Sequence, residues 1–515
     1  MKNIKTWFLS IFIAISVIGV VFLNTDAMVD AQITPRHYIG LFSLLGLFAL
    51  FQLIHFEDEI KSFTIILFSV SVLEAMYGLY RLCFFNEARM SGSFDNPAGF
   101  AAYLCGVAPY ALIELRNNHR LIKTLSWIAL SILLIAIALS GSRAGWVATF
   151  SWTLVVIMRR VPFCLWKKYL LFVLLVASIV FSSYYIKKDS ADGRLLIWRC
   201  TINLCAEKPW LGHGMKGFMA NYMDKQAEFF VTNPDHKYAF LADNNKYPFN
   251  EYLSVVSRFG LLGLFAVLLM ALFLVYCYKR GRNNVYSWTA LLSLISIAVF
   301  SLFSYPFKYP IIWLICCADI FTLLVFAKIR ALLPTKKKVL FKVCSLILCF
   351  IVGVHLTYKV MAEMRWKQLT NRARVNADEQ LFSDYADLEK RMGHDAFFMY
   401  NYAVELYLAK KYDKSLEKAI DCRKLWADYD LDLLIGQLYE EKGQYDKANE
   451  KYIWASYMCP NRCLPLYYRM KLYLRQDKII QAKEIAREII DKDEKVPSPT
   501  LVKIKTEADR CLLIN

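Results

Sequence analysis

Apolar residues run in long, nearly unbroken stretches through the first two thirds of the chain and in short, interrupted stripes through the last third. A helix needs about 20 apolar residues to cross a bilayer. Stretches of about that size fall at 6–23, 38–54, 62–80, 97–114, 124–141, 144–158, 169–186, 253–278, 285–304, 309–327 and 339–357. The expected fold class is therefore all-α, with a polytopic membrane helix bundle of about eleven transmembrane helices over 1–357. Lys2 and Lys5 precede the first stretch as in a signal peptide, but no small-x-small cleavage site follows, and a retained helix is expected. From Tyr358 the chain becomes charged and non-spanning, predicting a linker helix over 358–394 and a separate helical domain over 395–515.

That last domain carries an internal repeat. Gly436, Tyr439, Ala448, Tyr452, Ala455 and Pro460 occupy the small, aromatic and proline positions of a tetratricopeptide (TPR) helix-turn-helix unit. Tyr412-Asp413-Lys414 recurs as Tyr445-Asp446-Lys447, and Ala448 recurs as Ala482. At least three TPR-like units are expected, because one helix pair cannot bury its apolar face alone. Cys459 and Cys463 fit either a disulfide in an oxidising compartment or plain packing at a helix end and turn.

The net charge of +18 invites a nucleic-acid reading. Position removes it, because the basic residues cluster at the ends of apolar stretches: Lys2/Lys5, Arg116/Arg120/Lys123, Arg159/Arg160/Lys167/Lys168, Lys279/Arg280/Arg282 and Lys328/Arg330/Lys336/Lys337/Lys338. This is the pattern that fixes membrane orientation, and it places these clusters in the cytoplasm. With eleven spans, 187–251 and 358–515 then face outward, in a bacterial inner membrane with a periplasmic C-terminal domain. The 14 cysteines include no CxxC pair, and no P-loop or GxGxxG occurs, so neither metal nor cofactor is expected.

The stretch 187–251 separates two spans by far more than an ordinary loop, and such loops are commonly functional. Arg194 follows Asp192-Gly193, a plausible helix start that would put it in a first turn whose free N–H groups favour an anion. Leu195, Trp198, Ile202 and Cys205 then fall on one face until Lys208-Pro209 stops the helix. Arg143, in Ser140-Gly-Ser-Arg-Ala-Gly145, sits between two closely spaced spans, where an arginine costs ~2.5 kcal/mol or more unless it snorkels or meets an anion. Two guanidinium groups suit a diphosphate because each can bind its oxygens bidentately. A solvated or snorkelling arginine is the plain alternative at either position.

Further motifs follow in order: Ser91-Gly-Ser-Phe-Asp-Asn-Pro-Ala-Gly-Phe-Ala-Ala-Tyr-Leu104, the Arg143 turn, Gly193-Arg194 with Trp198, Pro209-Trp-Leu-Gly-His-Gly214, and Asn250-Glu-Tyr-Leu253 with Gly260-Leu-Leu-Gly263. Their order over residues 90 to 265 resembles the O-antigen ligase superfamily of ligases, polymerases and bacterial protein O-oligosaccharyltransferases. The resemblance implies metal-independent, inverting transfer of a glycan from an undecaprenyl-diphosphate carrier to a lipid or protein acceptor hydroxyl, on the periplasmic face. It assigns Arg143 and Arg194 to the donor diphosphate, and Trp198 and Asn250 are candidates for positioning the loop. The sequence departs from the pattern twice. Phe249 stands where the resemblance puts the acceptor's histidine base, and Arg258 stands where an acidic residue is common. Glu251, His213 and His236 are the candidate substitute bases, with Asp243 and Asp235 behind them; a helix-stabilising Glu251 and surface histidines are the plain readings. The rival function is a non-catalytic membrane scaffold whose TPR-like domain recruits periplasmic partners. A flippase fits less well, because no ionisable chain threads the spans.

Overall fold

The computed structural model describes residues 2–53, 60–160, 166–167, 170, 173, 184–185, 188–234, 236–281, 284–329, 335–375, 378–493 and 498–514. Most of the expected span at 169–186, and the candidate Asp235, lie outside the described residues. Among those described there is no strand. The chain divides into two compact units, one of Met1–Ile186 with Phe265–Met364 and one of Lys187–Leu264 with Arg365–Asn515.

The first unit is built from α1 (Lys2–Phe22), α2 (Ile33–Leu53), α3 (Ile60–Phe84), α4 (Pro97–Val107), α5 (Ala111–Glu114), α6 (Arg120–Leu139) and α7 (Arg143–Arg160). It also takes in most of α10 (Glu251–Arg280), α11 (Val285–Ser301), α12 (Pro310–Phe326) and the first part of α13 (Thr335–Ala373). Stretches within α2, α3, α6, α10 and α13 are each long and apolar enough to cross a membrane, and Trp7–Phe22, α11 and α12 are shorter apolar helices. Apolar side chains face outward along them: Leu268 and Leu272 on α10 are 54% and 58% exposed. Exposed apolar surface of that extent calls for lipid, and this is a membrane protein.

At the centre of this unit lies α4, buried from Gly99 to Val107, as a helix apolar on every side must be. Its neighbours come close because the contacts are small: Gly106 meets Ile297 and Ile315, Gly145 of α7 meets Ala101, and Ser296 of α11 donates to the Cys105 carbonyl at 2.9 Å. The span expected over 97–114 is not one α-helix. A 3₁₀ turn at Ala108–Tyr110 interrupts it, where Pro109 supplies no N–H to the ladder.

In the second unit the stretch expected as a long loop is largely helical. It holds α8 (Lys188–Glu207) and α9 (Gly217–Thr232) before α10 begins. The buried face of α8 is Leu196, Ile197, Cys200, Leu204 and, as expected, Cys205, whereas Leu195 and Ile202 are exposed. The expected helical period is present, but its phase is displaced by about one residue.

After α14 (Glu379–Met392) come three helix pairs: α15 (Ala396–Leu408) with α16 (Tyr412–Leu425), α17 (Tyr429–Glu441) with α18 (Tyr445–Met458), and α19 (Leu464–Arg475) with α20 (Ile479–Asp491). The last helix is α21 (Pro499–Leu512). The small and aromatic repeat positions interlock, since any Cβ on Gly436 would strike the ring of fully buried Tyr452. Asp395 and Asp428 cap α15 and α17 with their carboxylates. Lys410, Gly443 and Asp477 all take left-handed backbone at the corresponding turns, so the repeat is conformational even where the glycine is not. These stacked pairs make the C-terminal part a TPR-like helical repeat. No disulfide joins Cys459 to Cys463: the two thiols are buried in different apolar clusters.

The 217–246 segment is fastened to the repeats. Ala427 N–H donates to the Met219 carbonyl at 2.8 Å, and Gln226 Nε2 to the Met458 carbonyl at 2.6 Å. Asp224 accepts from Trp454 Nε1 at 2.9 Å and pairs with Arg423, which also binds fully buried Asp432. Lys246 lies over the rings of Phe397 and Trp426, at 4.5 and 4.8 Å.

Candidate functional site

Arg143 and Arg194 fall in different units. Arg143 is the first residue of α7 and half-buried. Gly141, at φ 63°, makes the tight turn from α6, and Ser142 Oγ accepts from Gly145 N–H at 3.3 Å. Met90 N–H donates to the Leu139 carbonyl at 3.4 Å, joining this turn to the 91–99 motif.

That motif is tightly organised. Ser93 N–H donates at 2.6 Å to Glu74, which is wholly buried on α3, and Ser93 Oγ donates to the Val21 carbonyl at 2.7 Å. Asp95 pairs with Lys308 at 2.6 Å and accepts from Tyr309 at 2.9 Å, while Asn96 caps α4 through Ala98 N–H. The same unit opens an apolar cleft of about 520 Å³ bounded by Leu44, Phe48, Phe63, Tyr110, Phe321 and Leu356.

Arg194 is not in a first helical turn, because α8 already runs from Lys188. The helix-terminus argument fails there and applies instead to Arg143. The Arg194 guanidinium carbon lies over the ring of Phe249, at 5.5 Å. One turn along α8, Trp198 Nε1 donates to the Pro248 carbonyl at 3.0 Å, so from one helix face Trp198 holds the backbone at 248 and Arg194 the side chain of 249. Phe249 takes φ 52°, unusual for a bulky residue and a sign that the surroundings fix this loop. Asn250 Oδ1 then accepts from Leu253 N–H at 3.0 Å and caps α10. Glu251 is the first residue of α10, where the helix dipole favours its carboxylate form.

The histidines sit differently. The His213 ring is held between the Leu204 carbonyl at 2.9 Å and Glu207 at 3.8 Å, with little side-chain exposure. His236 packs between Phe229 and Tyr238 and accepts from Tyr238 N–H through Nδ1 at 3.2 Å. Burial, with Arg199 and Lys237 nearby, lowers its pKa and favours the neutral ring. Arg194, Trp198, Phe249, Asn250 and Glu251 thus form one constellation, whereas the contacts of the two histidine rings run to Leu204, Glu207, Phe229 and Tyr238.

The Pro209–Gly214 turn and the glycines of α10 explain each other. At Gly260 the helix breaks, with φ 65° and ψ −165°. Across the break Leu261 N–H donates to the Pro209 carbonyl at 2.7 Å and Leu262 N–H to that of Trp210 at 3.3 Å. In the other direction, His213 and Gly214 N–H donate to the carbonyls of Ser257 at 2.8 Å and Arg258 at 2.9 Å. The turn thus satisfies four backbone groups that the break orphans. Sequence reasoning passed over Arg258 as a departure from a pattern. Its one available signal was a cation two residues before a helix-breaking glycine.

A bundle of membrane-competent helices combined with stacked helix pairs defines the class: an all-α membrane protein with a TPR-like repeat. Residues 128–268 match the family model described as O-Antigen ligase, and that stretch contains Arg143, Arg194, Trp198, His213, His236, Asn250 and Glu251. At this coarse level the match supports glycosyl transfer of the ligase type. No curated protein matches the chain. Among solved structures, the crystal structure of yeast Tom70 aligns over 93% of this chain and 96% of that chain at 11% identity, with a TM-score of 0.28, too low to carry an argument.

Proposed function

We propose that this protein transfers a glycan from an undecaprenyl-diphosphate carrier to an acceptor hydroxyl, on the periplasmic side of a bacterial inner membrane. The observation that carries the reading is the constellation of Arg194, Trp198, Phe249, Asn250 and Glu251 inside the matched ligase domain. In an inverting transfer the acceptor oxygen forms its bond to the anomeric carbon as the bond to the diphosphate breaks. The leaving diphosphate gathers negative charge, which Arg143 and Arg194 would stabilise through fixed guanidinium donors. The acceptor proton goes to a base, and Glu251 is the carboxylate built into the loop. The apolar cleft of the first unit suits a hydrocarbon chain such as the carrier's. The repeat domain, on this reading, holds the acceptor or a partner protein.

The test is transfer in proteoliposomes supplied with lipid-diphosphate-linked glycan and the host's acceptors, scored by mass spectrometry. Arg143→Lys and Arg194→Lys keep charge but lose the bidentate fork, and each should lower transfer at least tenfold, since a charge-assisted contact contributes ~1.5–3 kcal/mol. Full activity in both, and in the double variant, sinks the clamp. A wild-type chain that transfers nothing to any lipid or protein acceptor supports the scaffold instead.

A further inference from the structure

The Pro209–Gly214 turn carries an apolar tip that the chemistry proposed above does not use. Trp210, Leu211 and Met215 are all largely exposed, and the exposed lysines Lys208 and Lys216 flank them. The tip is held firmly, because four backbone hydrogen bonds join the turn to α10 and a Cβ on Gly212 would strike the Arg258 backbone. Its position along α10 decides its surroundings. The Pro209 and Trp210 carbonyls accept from Leu261 and Leu262, two exposed residues that open an uncharged run lasting to Tyr278, just before Lys279 and Arg280. At ~1.5 Å per residue that run is about 27 Å long, close to the ~30 Å hydrocarbon core of a bilayer. Leu261 therefore marks the level at which α10 enters the lipid, and the tip bound to it lies at that level.

We infer that this turn is an interfacial anchor, with Trp210, Leu211 and Met215 seated in bulk phospholipid at the boundary between headgroups and acyl chains. The occupant follows from continuity: the tip adjoins the exposed Leu261 and Leu262, which belong to a helix whose apolar surface lipid must cover. Indole suits that boundary because its ring is apolar and its N–H is not, and a lysine can lay its stem along the apolar tip while its ammonium stays in water. The anchor fixes the depth of the end of α8, since Glu207, the last residue of that helix, immediately precedes Lys208 and the turn. Arg194 and Trp198, on the same helix, are held at a set height with it. None of this depends on glycan transfer, because a non-catalytic scaffold would be anchored in the same way.

The test places a diazirine-bearing leucine analogue, one site at a time, at Leu211, at Met215 and at Ile480 on α20. Ile480 is the control, because it is apolar and 74% exposed, as Leu211 is, but sits on a repeat helix that spans no membrane. The full chain is held in nanodiscs of phosphatidylethanolamine and phosphatidylglycerol and irradiated, and the adducts are identified by mass spectrometry. Leu211 and Met215 should each give at least tenfold more lipid adduct than Ile480. Lipid adduct at the tip that does not exceed the Ile480 level overturns the inference. Cross-links from the tip to a second copy of the chain, or to another part of the same chain, overturn it as well, since protein rather than lipid would then cover the patch. A second measurement leaves Leu211 and Met215 untouched: with lipids brominated just below the headgroup, Trp210→Phe should remove a quenched component from the tryptophan emission. Equal fractional quenching in wild type and Trp210→Phe would count against the anchor.

Discussion

Replacing Gly260 by alanine should open the junction between the Pro209–Gly214 turn and α10. Gly260 holds φ 65° and ψ −165°, a region essentially closed to residues with a Cβ, at ~1–3 kcal/mol of strain. An added Cβ would also run into the backbone of Trp210 and Leu211. Relief requires the turn to move away, and four backbone hydrogen bonds cross this junction, each contributing a net ~0.5–1.5 kcal/mol. Strain with partial loss of those bonds comes to about 3 kcal/mol, more than a hundredfold in the local opening constant at ~1.4 kcal/mol per decade. The assay is native-state hydrogen exchange with mass spectrometry on peptides covering 208–216 and 257–264. Gly214→Ala is the internal comparison: Gly214 has φ 82°, but its Cβ would meet nothing within 4 Å, so only the left-handed backbone cost of ~1–2 kcal/mol applies. If Gly260→Ala exchanges no faster than Gly214→Ala, the junction is not held as described.

Two further outcomes are expected. Glu251→Gln keeps shape and most hydrogen bonding, so as the acceptor base Glu251 should take at least ~10²-fold of turnover with it at unchanged protein level, whereas a helix-stabilising role would leave transfer largely intact. Asp432→Ala removes a fully buried carboxylate held by Arg423 at 2.9 Å and Lys451 at 2.8 Å; Arg423 keeps Asp224 and Lys451 loses this partner, which should destabilise the repeat unit by ~1–3 kcal/mol, read as a lowered thermal midpoint by intrinsic fluorescence.

Much of this was legible because it rests on period. Apolar stretches gave the membrane helices, and Gly436 with Tyr452 gave the repeat, since a glycine against a buried ring leaves its mark on both residues. What was not legible depends on phase or distant partners. The face of α8 was misjudged because its apolar residues are nearly continuous from Leu195 to Ile197, and the repeats and α9 decide which of them is covered. The start of α8 was placed late because Asp192-Gly193 reads as a cap, yet tertiary packing carries the helix through that glycine. Pro209–Gly214 was recognisable as a turn, but not as the partner of Gly260, because backbone hydrogen bonds carry no side-chain signature.

On the proposed reading, the Phe249 position keeps one half of the site's chemistry while changing the other. Its left-handed backbone, the Trp198 bond to Pro248 and the Asn250 cap fix where residue 249 points whatever its side chain. A histidine there would lie beside Arg194, whose charge would hold the imidazole neutral and able to accept a proton. Phenylalanine keeps the contact as a cation–π stack, of ~0.5–2 kcal/mol, and so keeps the guanidinium in place while taking no proton itself. On the proposed reading the donor half of the site therefore survives the substitution, and the acceptor half must pass to a neighbouring group. Glu251 follows two residues later on the same fixed loop, at a helix terminus that favours its charged form, which makes it available to accept a proton but a weaker base than imidazole. The two halves accordingly separate by kinetics: Arg194→Lys should act on donor recognition and leaving-group departure, and Glu251→Gln on turnover at saturating donor.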